Sequence, residues 1–448
     1  MATEGTEASR GLTRREVLKR GALVAGGAAI SSSVARPAWG SLRVRDRSDA
    51  NTIKIGFVSP ITGADAGFGE GDPYVISLAQ KAWAKGITVK GTNYAVQIVQ
   101  KDSQSTPSTA AQVANDLLHS DNVDLILTTS TPETVNPVSD ASEAAQVPAI
   151  STIVPWQAWY FGRGAKEGKP SPFKYTYHFS FGGEDFGIAY ESLWPEVKTN
   201  KTVGVMWPND ADGNAFRSSL GPALEKAGYK IVDPGAYQDG TTDYTKLISD
   251  YKKNNCQIFQ CAPIPPDFTT LWRQAAQQGY TSMVKIAQIA KTGLFPSQVQ
   301  VLGKLGPNLA SGAYWTPTFP YSSPLTGLTS KQLGDGYTAK TGRQWNQQLG
   351  ASLALFDVAE QVLKASGDPK NKTTVANTMK TLHAKTMLGN LKWGAGGRKN
   401  PVVNVVTTPI IGGQWRSAKG KFPLDFILCE HADDPNVPVA SKLVPYNA

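Results

Sequence analysis

Short apolar segments alternate with amphipathic segments from Ile53 to about Leu382. The continuous apolar segments are typical of strands buried on both faces, and segments with helical periodicity separate them. The predicted strands have the sequences IKIGFVSP, YAVQIVQKD, VDLILTTST, VPAISTI, YTYHFSF, TVGVMW, CQIFQCA and MVKIAQI. Because strands that alternate with helices form parallel sheets, the pattern predicts an α/β protein.

Several of the intervening helices have clear limits. A helix is predicted from about Asp72 to Ala84, and another from Pro132 to Ala145. Thr106 and Pro107 suit the start of a third helix, since threonine caps the first turn and proline fits the first helical position. One apolar stripe indicates a long later helix, and its members are Leu349, Leu353, Phe356 and Leu363.

The regular alternation breaks at two places. Residues 156–172 (WQAWYFGRGAKEGKPSP) are rich in Gly, Pro and aromatic residues, which predicts a loop. After Leu391 the pattern becomes that of β-hairpins, and the tail beyond Asp433 is rich in proline. We expect that tail to lie on the surface.

The N-terminal segment has the pattern of a removable export signal. Leu12–Ile30 joins the arginine pair Arg14-Arg15 to a mild apolar stretch that is too short and too rich in glycine to span a membrane. This pattern is typical of the twin-arginine type of signal, with a cut before Ser41. We therefore predict residues 1–40 as the signal and the periplasm as the location; a disordered basic tail is the alternative.

Composition excludes several classes of protein. The 448 residues carry a net charge of +9, and about +6 remains when residues 1–40 are removed. No dense basic run interleaved with aromatics follows the signal, so we expect no nucleic-acid partner. Three cysteines, Cys256, Cys261 and Cys429, cannot all pair with one another, and we expect buried thiols.

Catalytic signatures are absent from the sequence. It contains no G-x-S-x-G elbow, no H-E-x-x-H, no C-x-x-C and no phosphate-binding Walker loop. GFGEG lacks the dinucleotide-binding spacing, and NDADGN lacks the carboxylates of a calcium loop. We therefore predict a protein that is not an enzyme, with no cofactor and no metal.

Hydroxyl groups follow two neighbouring predicted strands. Ser130 and Thr131 lie after the third strand and begin a helix, and Ser151 and Thr152 end the fourth. Ligands of parallel α/β sheets bind beyond the carboxyl ends of the strands, and helix starts bind anions. The pattern favours an anion site there, although simple helix capping would also account for any one of these hydroxyls.

Longer stretches resemble the leucine/isoleucine/valine-type periplasmic binding proteins, the solute receptors of ABC importers. The similar segments cover roughly Ile53 to Trp393 and have these sequences: IKIGFVSPITGADAGFGEGDPYVISLAQKAWAKGI, VQKDSQSTPSTAAQVANDLL, LILTTSTPETVNPVSDASEAAQVPAIS, DYTKLISDYKKNNCQIF and LWRQAAQQGY. The resemblance implies a class I fold, with two Rossmann-like lobes, parallel central sheets and a three-stranded hinge.

The resemblance also implies how the chain divides between the lobes. The first lobe is expected to contain residues 51–174 and 318–389. The second lobe is expected to contain residues 175–317 and the C-terminal strands and tail, 390–448. The implied partners are a small ligand and the permease subunits of an ABC transporter, and we expect a monomer.

The ligand contacts implied by the family fall on identifiable residues here. Ser130, Thr131, Ser151 and Thr152 are expected to clamp a carboxylate. Aromatic and second-lobe contacts are expected from Phe68, Trp156, Phe181, Asp185, Asp212, Asp267 and Gln288. The chain departs from the family pattern in having Gln288 where an acid is expected, and Asp212-Gly213 in place of a Tyr-Gly pair.

These departures leave the ligand class open. The aromatic segment from Trp156 to Phe161 favours a flat or bulky carboxylate over a branched-chain amino acid, unless its rings pack onto their own lobe. Two other functions remain open from the sequence. One is an exported enzyme with a cofactor, and the other is a sensor subunit that passes its ligand state to a receptor.

Overall fold

The computed structural model describes residues 51–448. The predicted export signal, its arginine pair and its cleavage site lie outside the described residues. Among the helices that are described, none combines the length and the apolar character that crossing a membrane requires.

The strands belong to two large sheets and one small hairpin. In chain order they are β1 (Thr52–Ser59), β2 (Ile87–Val89), β3 (Thr92–Asp102), β4 (Leu125–Thr129), β5 (Ala149–Thr152), β6 (Thr176–Phe179), β7 (Thr202–Met206), β8 (Lys230–Val232), β9 (Ile258–Cys261), β10 (Ile286–Ile289), β11 (Ala310–Ala313), β12 (His383–Thr386), β13 (Gly389–Lys392), β14 (Val405–Val406), β15 (Ile411–Ser417) and β16 (Leu424–Leu428).

Helices cover the sheets. They are α1 (Asp72–Ala82), α2 (Pro107–His119), α3 (Pro132–Ala144), α4 (Trp156–Tyr160), α5 (Gly183–Leu193), α6 (Ala211–Ala215), α7 (Gly221–Lys226), α8 (Thr245–Lys253), α9 (Pro265–Gln277), α10 (Pro296–Gln300), α11 (Ser330–Thr341), α12 (Gln348–Ser366) and α13 (Lys372–Met379). A π-helical turn, Phe216–Leu220, joins α6 to α7.

Each large sheet forms the centre of one lobe. The first sheet has the order β14-β6-β5-β4-β1-β3-β2, and the second has the order β16-β15-β11-β10-β9-β7-β8. The predicted α/β class with two lobes is confirmed. The centres of both sheets are parallel, as expected, and antiparallel strands lie at their edges: β2 pairs with β3, and β15 pairs with β11 and β16. Hairpins can form this way because only a short turn joins their strands.

The chain passes between the sheets three times. It leaves the first sheet after β6, returns after β11 to α11–α13, and enters the second sheet again between β14 and β15. The predicted lobe limits at residues 174, 317 and 389 stay predictions. The strands themselves change sheets after Phe179, Ala313 and Val406.

Local sequence accounts for where several helices begin. Thr106 accepts a hydrogen bond from Thr109 N–H at 3.2 Å, so it caps α2 as predicted. The predicted apolar stripe lies on α12, which packs against α1, α13 and strands of the first sheet. This helix is buried on most of its sides, and even its polar residues Ser352 and Asp357 are inaccessible to solvent.

The structure corrects one local expectation, the loop at residues 156–172, and confirms another, the buried thiols. The predicted loop 156–172 begins with the helix α4, whose rings pack onto the lobe: Trp159 is inaccessible and stacks on His178, with ring centroids 4.9 Å apart. The three cysteines are free and buried, as expected.

Candidate functional site

A small cavity of about 50 Å³ lies between the lobes, at the carboxyl ends of both sheets. Most of the lining is apolar, and its polar members are Ser130, Thr131, Asp212 and Lys291. The apolar members are Phe68, Pro132, Ile153, Val154, Pro155, Phe181, Phe186, Phe216, Ala262, Ala290, Leu294, Gly312, Tyr314 and Ile410. An apolar cavity with a few polar groups is typical of a small-molecule site.

Ser130 and Thr131 form the polar part of the first-lobe wall. Ser130 follows β4 directly, and its hydroxyl is buried without a hydrogen-bond partner in the part of the chain that the structure describes. The Thr131 hydroxyl donates to Asp65 Oδ2 at 3.4 Å, and α3 begins at the next residue. Because an unpaired buried hydroxyl is costly, Ser130 is suited to bind a polar ligand atom.

Ser151 and Thr152 are used inside the lobe instead. The carbonyl of Val154 accepts from His178 Nε2–H at 2.8 Å, so Nδ1 of the neutral ring accepts from the Ser151 hydroxyl at 2.8 Å. Burial lowers the pKa of His178 to about 3, which keeps the ring neutral. Thr152 Oγ1 donates to the Phe179 carbonyl at 2.6 Å, and neither hydroxyl residue lines the cavity.

A row of aromatic rings forms the second-lobe wall. Phe181 stacks on Tyr314 with centroids 5.7 Å apart and meets Phe186 edge-on at 5.1 Å. Phe186 in turn meets Phe216 at 5.2 Å. On the first-lobe side, Phe68 is the aromatic residue of the wall. Such surfaces attract flat apolar groups, because rings interact favourably in stacked and edge-on arrangements.

Lys291 carries the positive charge of the second-lobe wall. It begins the 3-10 turn after β10 and is buried, with Nζ 2.8 Å from Asp212 Oδ2 and 3.4 Å from Asp210 Oδ2. Burial opposes the charged ammonium, but the carboxylates of Asp212 and Asp210 and of first-lobe acids hold the pKa of Lys291 well above its ordinary value. Lys291 therefore stays charged and pairs with Asp212. The family resemblance had implied that Asp212 could instead bind the ammonium group of a ligand.

Carboxylates from both lobes meet near this lysine. Glu133, in the first turn of α3, accepts from Ala211 N–H at 3.3 Å across the cleft. Oxygen atoms of Glu133, Asp210 and Asp212 lie within 4.8 Å of one another, which is a spacing that a cation could bridge. The Lys291 ammonium already pairs with two of these three carboxylates, so the group is an ion-pair cluster.

Trp156 connects the lobes rather than lining the cavity. Its Nε1–H donates to Glu184 Oε1 at 2.6 Å, and Gln157 Nε2–H donates to Glu184 Oε2 at 2.5 Å. Glu184 lies in the first turn of α5, where a negative charge is favourable. Trp156 and Gln157 of α4, in the first lobe, therefore bind Glu184 of α5, in the second lobe.

Three further predicted site residues lie away from the cavity lining. Asp185 is paired with Arg398 at 2.5 Å and accepts from Gly182 N–H. Asp267 accepts from Gly240 N–H at 3.0 Å. Gln288 is buried and accepts from Trp194 Nε1–H at 3.2 Å.

The structure thus brings five of the predicted site residues into one cavity: Phe68, Ser130, Thr131, Phe181 and Asp212. Six others do not line it: Ser151, Thr152, Trp156, Asp185, Asp267 and Gln288. Their roles in ligand binding stay predictions.

Sequence reasoning missed Lys291, Phe186, Phe216 and Tyr314. Lys291 follows the predicted strand β10, so the rule that ligands bind beyond strand ends would have found it, and the same rule would have found Tyr314 had β11 been predicted. β11 was itself missed, because its sequence ASGA has no apolar run. Phe186 and Phe216 are helical, and no local pattern in the sequence distinguishes them from core residues.

Comparison with known proteins gives a consistent result. The model of the periplasmic binding protein family matches residues 52–413. A leucine-, isoleucine-, valine-, threonine- and alanine-binding protein of Pseudomonas aeruginosa is 25% identical over 236 residues, which are 51% of this chain and 58% of that protein. The chain matches such curated relatives over about half of their length, from 47% to 59%.

Solved structures with the same fold match this chain over nearly their own whole length. A leucine-binding protein of Thermotoga maritima has a TM-score of 0.67 at 17% identity, covering 86% of this chain and 99% of that one. A solute-binding protein from Rhodopseudomonas palustris, in complex with 3,4-dihydroxybenzoic acid, has a TM-score of 0.67 at 16% identity and covers 85% of this chain and 97% of that one. The resemblance seen in the sequence is confirmed, and the chain belongs to the periplasmic binding protein family, with the two-lobed class I fold.

Proposed function

We propose that the protein is the solute-binding receptor of an ABC importer and captures a small carboxylate-bearing ligand between its two lobes. The observation that carries the proposal is the cavity itself. It joins an aromatic wall on one lobe to the buried Ser130 hydroxyl on the other, which has no hydrogen-bond partner among residues 51–448. Such a site gives affinity through apolar contact and orientation through a few polar groups.

The carboxylate is placed at the first-lobe wall. Ser130 Oγ–H is available to donate, and the N-terminus of α3 lies beside it. The first backbone N–H groups of a helix and its dipole both favour an anion. Thr131 contributes to the same end of the cavity, where its hydroxyl already donates to Asp65.

The ligand body is placed against Phe181, Phe186 and Tyr314. We favour an aromatic or otherwise bulky organic acid over an amino acid, because Lys291 already engages Asp212 and competes with a ligand ammonium there. Relatives of this fold include binders of both kinds. A Rhodopseudomonas palustris protein was solved with 4-hydroxybenzoate and a Streptococcus pneumoniae protein with isoleucine.

Transport follows from closure. Ligand bound to one lobe stabilises contacts with the other, and a permease recognises the closed shape. In this role the protein works as an exported monomer in the periplasm, and the arginine pair Arg14-Arg15 routes it there. No catalytic step is required, since binding and a change of shape suffice.

Thermal unfolding against a ligand panel tests the proposal. The panel contains 4-hydroxybenzoate, 3-phenylpropanoate, leucine, phenylalanine, hexanoate and benzamide. We expect an aromatic acid to raise the unfolding temperature, since a ligand at about 100 times its dissociation constant stabilises by roughly 2.7 kcal/mol. Stabilisation by amino acids alone would contradict our preference for an aromatic acid. No effect from any carboxylate, with protein shown by mass spectrometry to be ligand-free, would contradict the carboxylate site.

A further inference from the structure

Acidic groups from both lobes surround Lys291. The first lobe contributes Asp65, from the loop after β1, and Glu133, from the start of α3. The second lobe contributes Asp210 and Asp212, which pair with Lys291 at 3.4 Å and 2.8 Å. Asp239 adds a further negative charge from the second lobe and interacts electrostatically with Asp210 and Asp267.

The acids exceed the positive charge that faces them. The two second-lobe carboxylates that pair with Lys291 already carry more charge than the lysine offsets. One oxygen of Asp212 also has no hydrogen-bond partner within residues 51–448. Asp65 Oδ1 is likewise buried and unpartnered there, and its other oxygen accepts only the 3.4 Å bond from Thr131. Like charges at short range in a low-dielectric site repel strongly.

Opening of the cleft would separate these groups. Asp65 and Glu133 move with one lobe, whereas Lys291 and its two partners move with the other. Glu133 Oε1 accepts a hydrogen bond across the cleft from Ala211 N–H at 3.3 Å. The excess negative charge is therefore a property of the closed form.

Resting on the proposed function, in which the lobes open and close around a ligand, we propose that closure takes up protons onto the carboxyl groups that meet around Lys291. The lysine is the counter-ion that makes closure possible, and the protons offset the charge that it leaves unmatched. Ligand capture is consequently stronger at mildly acidic pH.

The direction and size of the effect follow from linkage. Burial, aided by Glu133 and Asp210 and opposed by Lys291, raises the pKa of Asp65 from 3.8 to about 6 in the closed form. A group with a higher pKa in the closed form binds more protons there, so closure is favoured as pH falls through that value. With the ordinary pKa of 3.8 in the open form, one such group changes the closing equilibrium about tenfold between pH 8 and pH 5.

Small-angle X-ray scattering of the ligand-free protein at pH 5.5, 7.0 and 8.5 tests the proposal without knowledge of the ligand. We expect the radius of gyration to fall as pH falls. The Asp65→Asn, Glu133→Gln double variant, which keeps the side-chain shapes, is expected to lose most of this change. Asp335→Asn is the matched control, because Asp335 is an exposed carboxylate on α11 that pairs only locally with Lys331.

A second variant keeps the test informative if the wild-type protein is mostly open or mostly closed at every pH. Lys291→Met removes the counter-ion, so the variant is expected to be more expanded than wild type at pH 8.5 and to recover compactness at pH 5.5. Circular dichroism checks that each variant is folded. The proposal is overturned if Lys291→Met scatters like wild type at pH 8.5, or if the double variant keeps the full pH response. Failure of the ligand panel with a normal pH response would instead count against the proposed function alone.

Discussion

The Ser130→Ala, Thr131→Ala double variant is expected to bind the ligand about 100-fold more weakly than wild type. Each hydroxyl that meets a charged ligand group contributes roughly 1.5 kcal/mol or more, and about 2.7 kcal/mol corresponds to a hundredfold change in the dissociation constant. Calorimetric titration with the tightest-binding member of the ligand panel measures the change. Folding should be preserved, because the Ser130 hydroxyl makes no hydrogen bond within the described chain.

Ser151→Ala is the matched control for this experiment. Ser151 ends the neighbouring strand, and sequence reasoning placed it in the same carboxylate clamp. Its hydroxyl is instead bonded to His178 inside the lobe. We therefore expect affinity within about threefold of wild type and a loss of stability of about 1 kcal/mol. Equal losses of affinity in Ser151→Ala and in the double variant would contradict the placement of the carboxylate at Ser130.

The Ala290→Phe variant is expected to lose ligand binding, with affinity reduced by at least about 100-fold. Ala290 lines the cavity beside Lys291, and a phenyl ring there occupies space that the ligand body requires. A ligand that enters the partly filled cavity overpacks it, at a cost of about 1–3 kcal/mol or more, and loses the contacts that the new ring displaces. The same panel ligand and the same calorimetric titration measure the effect.

An equally large substitution at a surface position controls for that variant. Ala339, on α11, is exposed, so Ala339→Phe should leave affinity unchanged. The unfolding temperature of ligand-free Ala290→Phe distinguishes a filled cavity from a disrupted core. Wild-type affinity in folded Ala290→Phe would show that the ligand binds elsewhere.

Prediction from sequence succeeded where the signal was local and strong. Continuous apolar runs marked β1, β4, β7 and β10, because buried parallel strands have no polar face. The rule that ligands bind beyond strand ends then placed Ser130 and Thr131 in the region that the cavity occupies. Both inferences depend only on residues adjacent in the chain.

The same rule could not tell which hydroxyls face the cavity. Ser151 and Thr152 end β5 at the same edge of the sheet, but their bonds to His178 and to the Phe179 carbonyl come from the neighbouring β6. These partners lie about 27 residues further along the chain. The sequence pattern of a strand does not reveal which rotamer a hydroxyl side chain adopts or which group on a neighbouring strand it bonds.

Trp156 illustrates the second kind of limit. A cluster of aromatic residues next to a predicted binding loop suggested a ligand wall. The structure places Trp156 against Glu184 of the other lobe, and the aromatic wall is built from Phe181, Phe186 and Tyr314. Phe181 and Phe186 lie close together at the start of α5, but Tyr314 follows β11 far along the chain, so only folding of the second lobe brings the three rings together.

A crystal structure of the protein with its tightest-binding panel ligand shows directly whether the two lobes hold a carboxylate between them. We expect one ligand molecule in the cavity between the lobes. A carboxylate oxygen should lie about 2.7 Å from Ser130 Oγ, and the ligand body should contact Phe181 and Tyr314. A ligand bound outside this cavity, or bound in it with its carboxylate directed away from Ser130, would contradict the account.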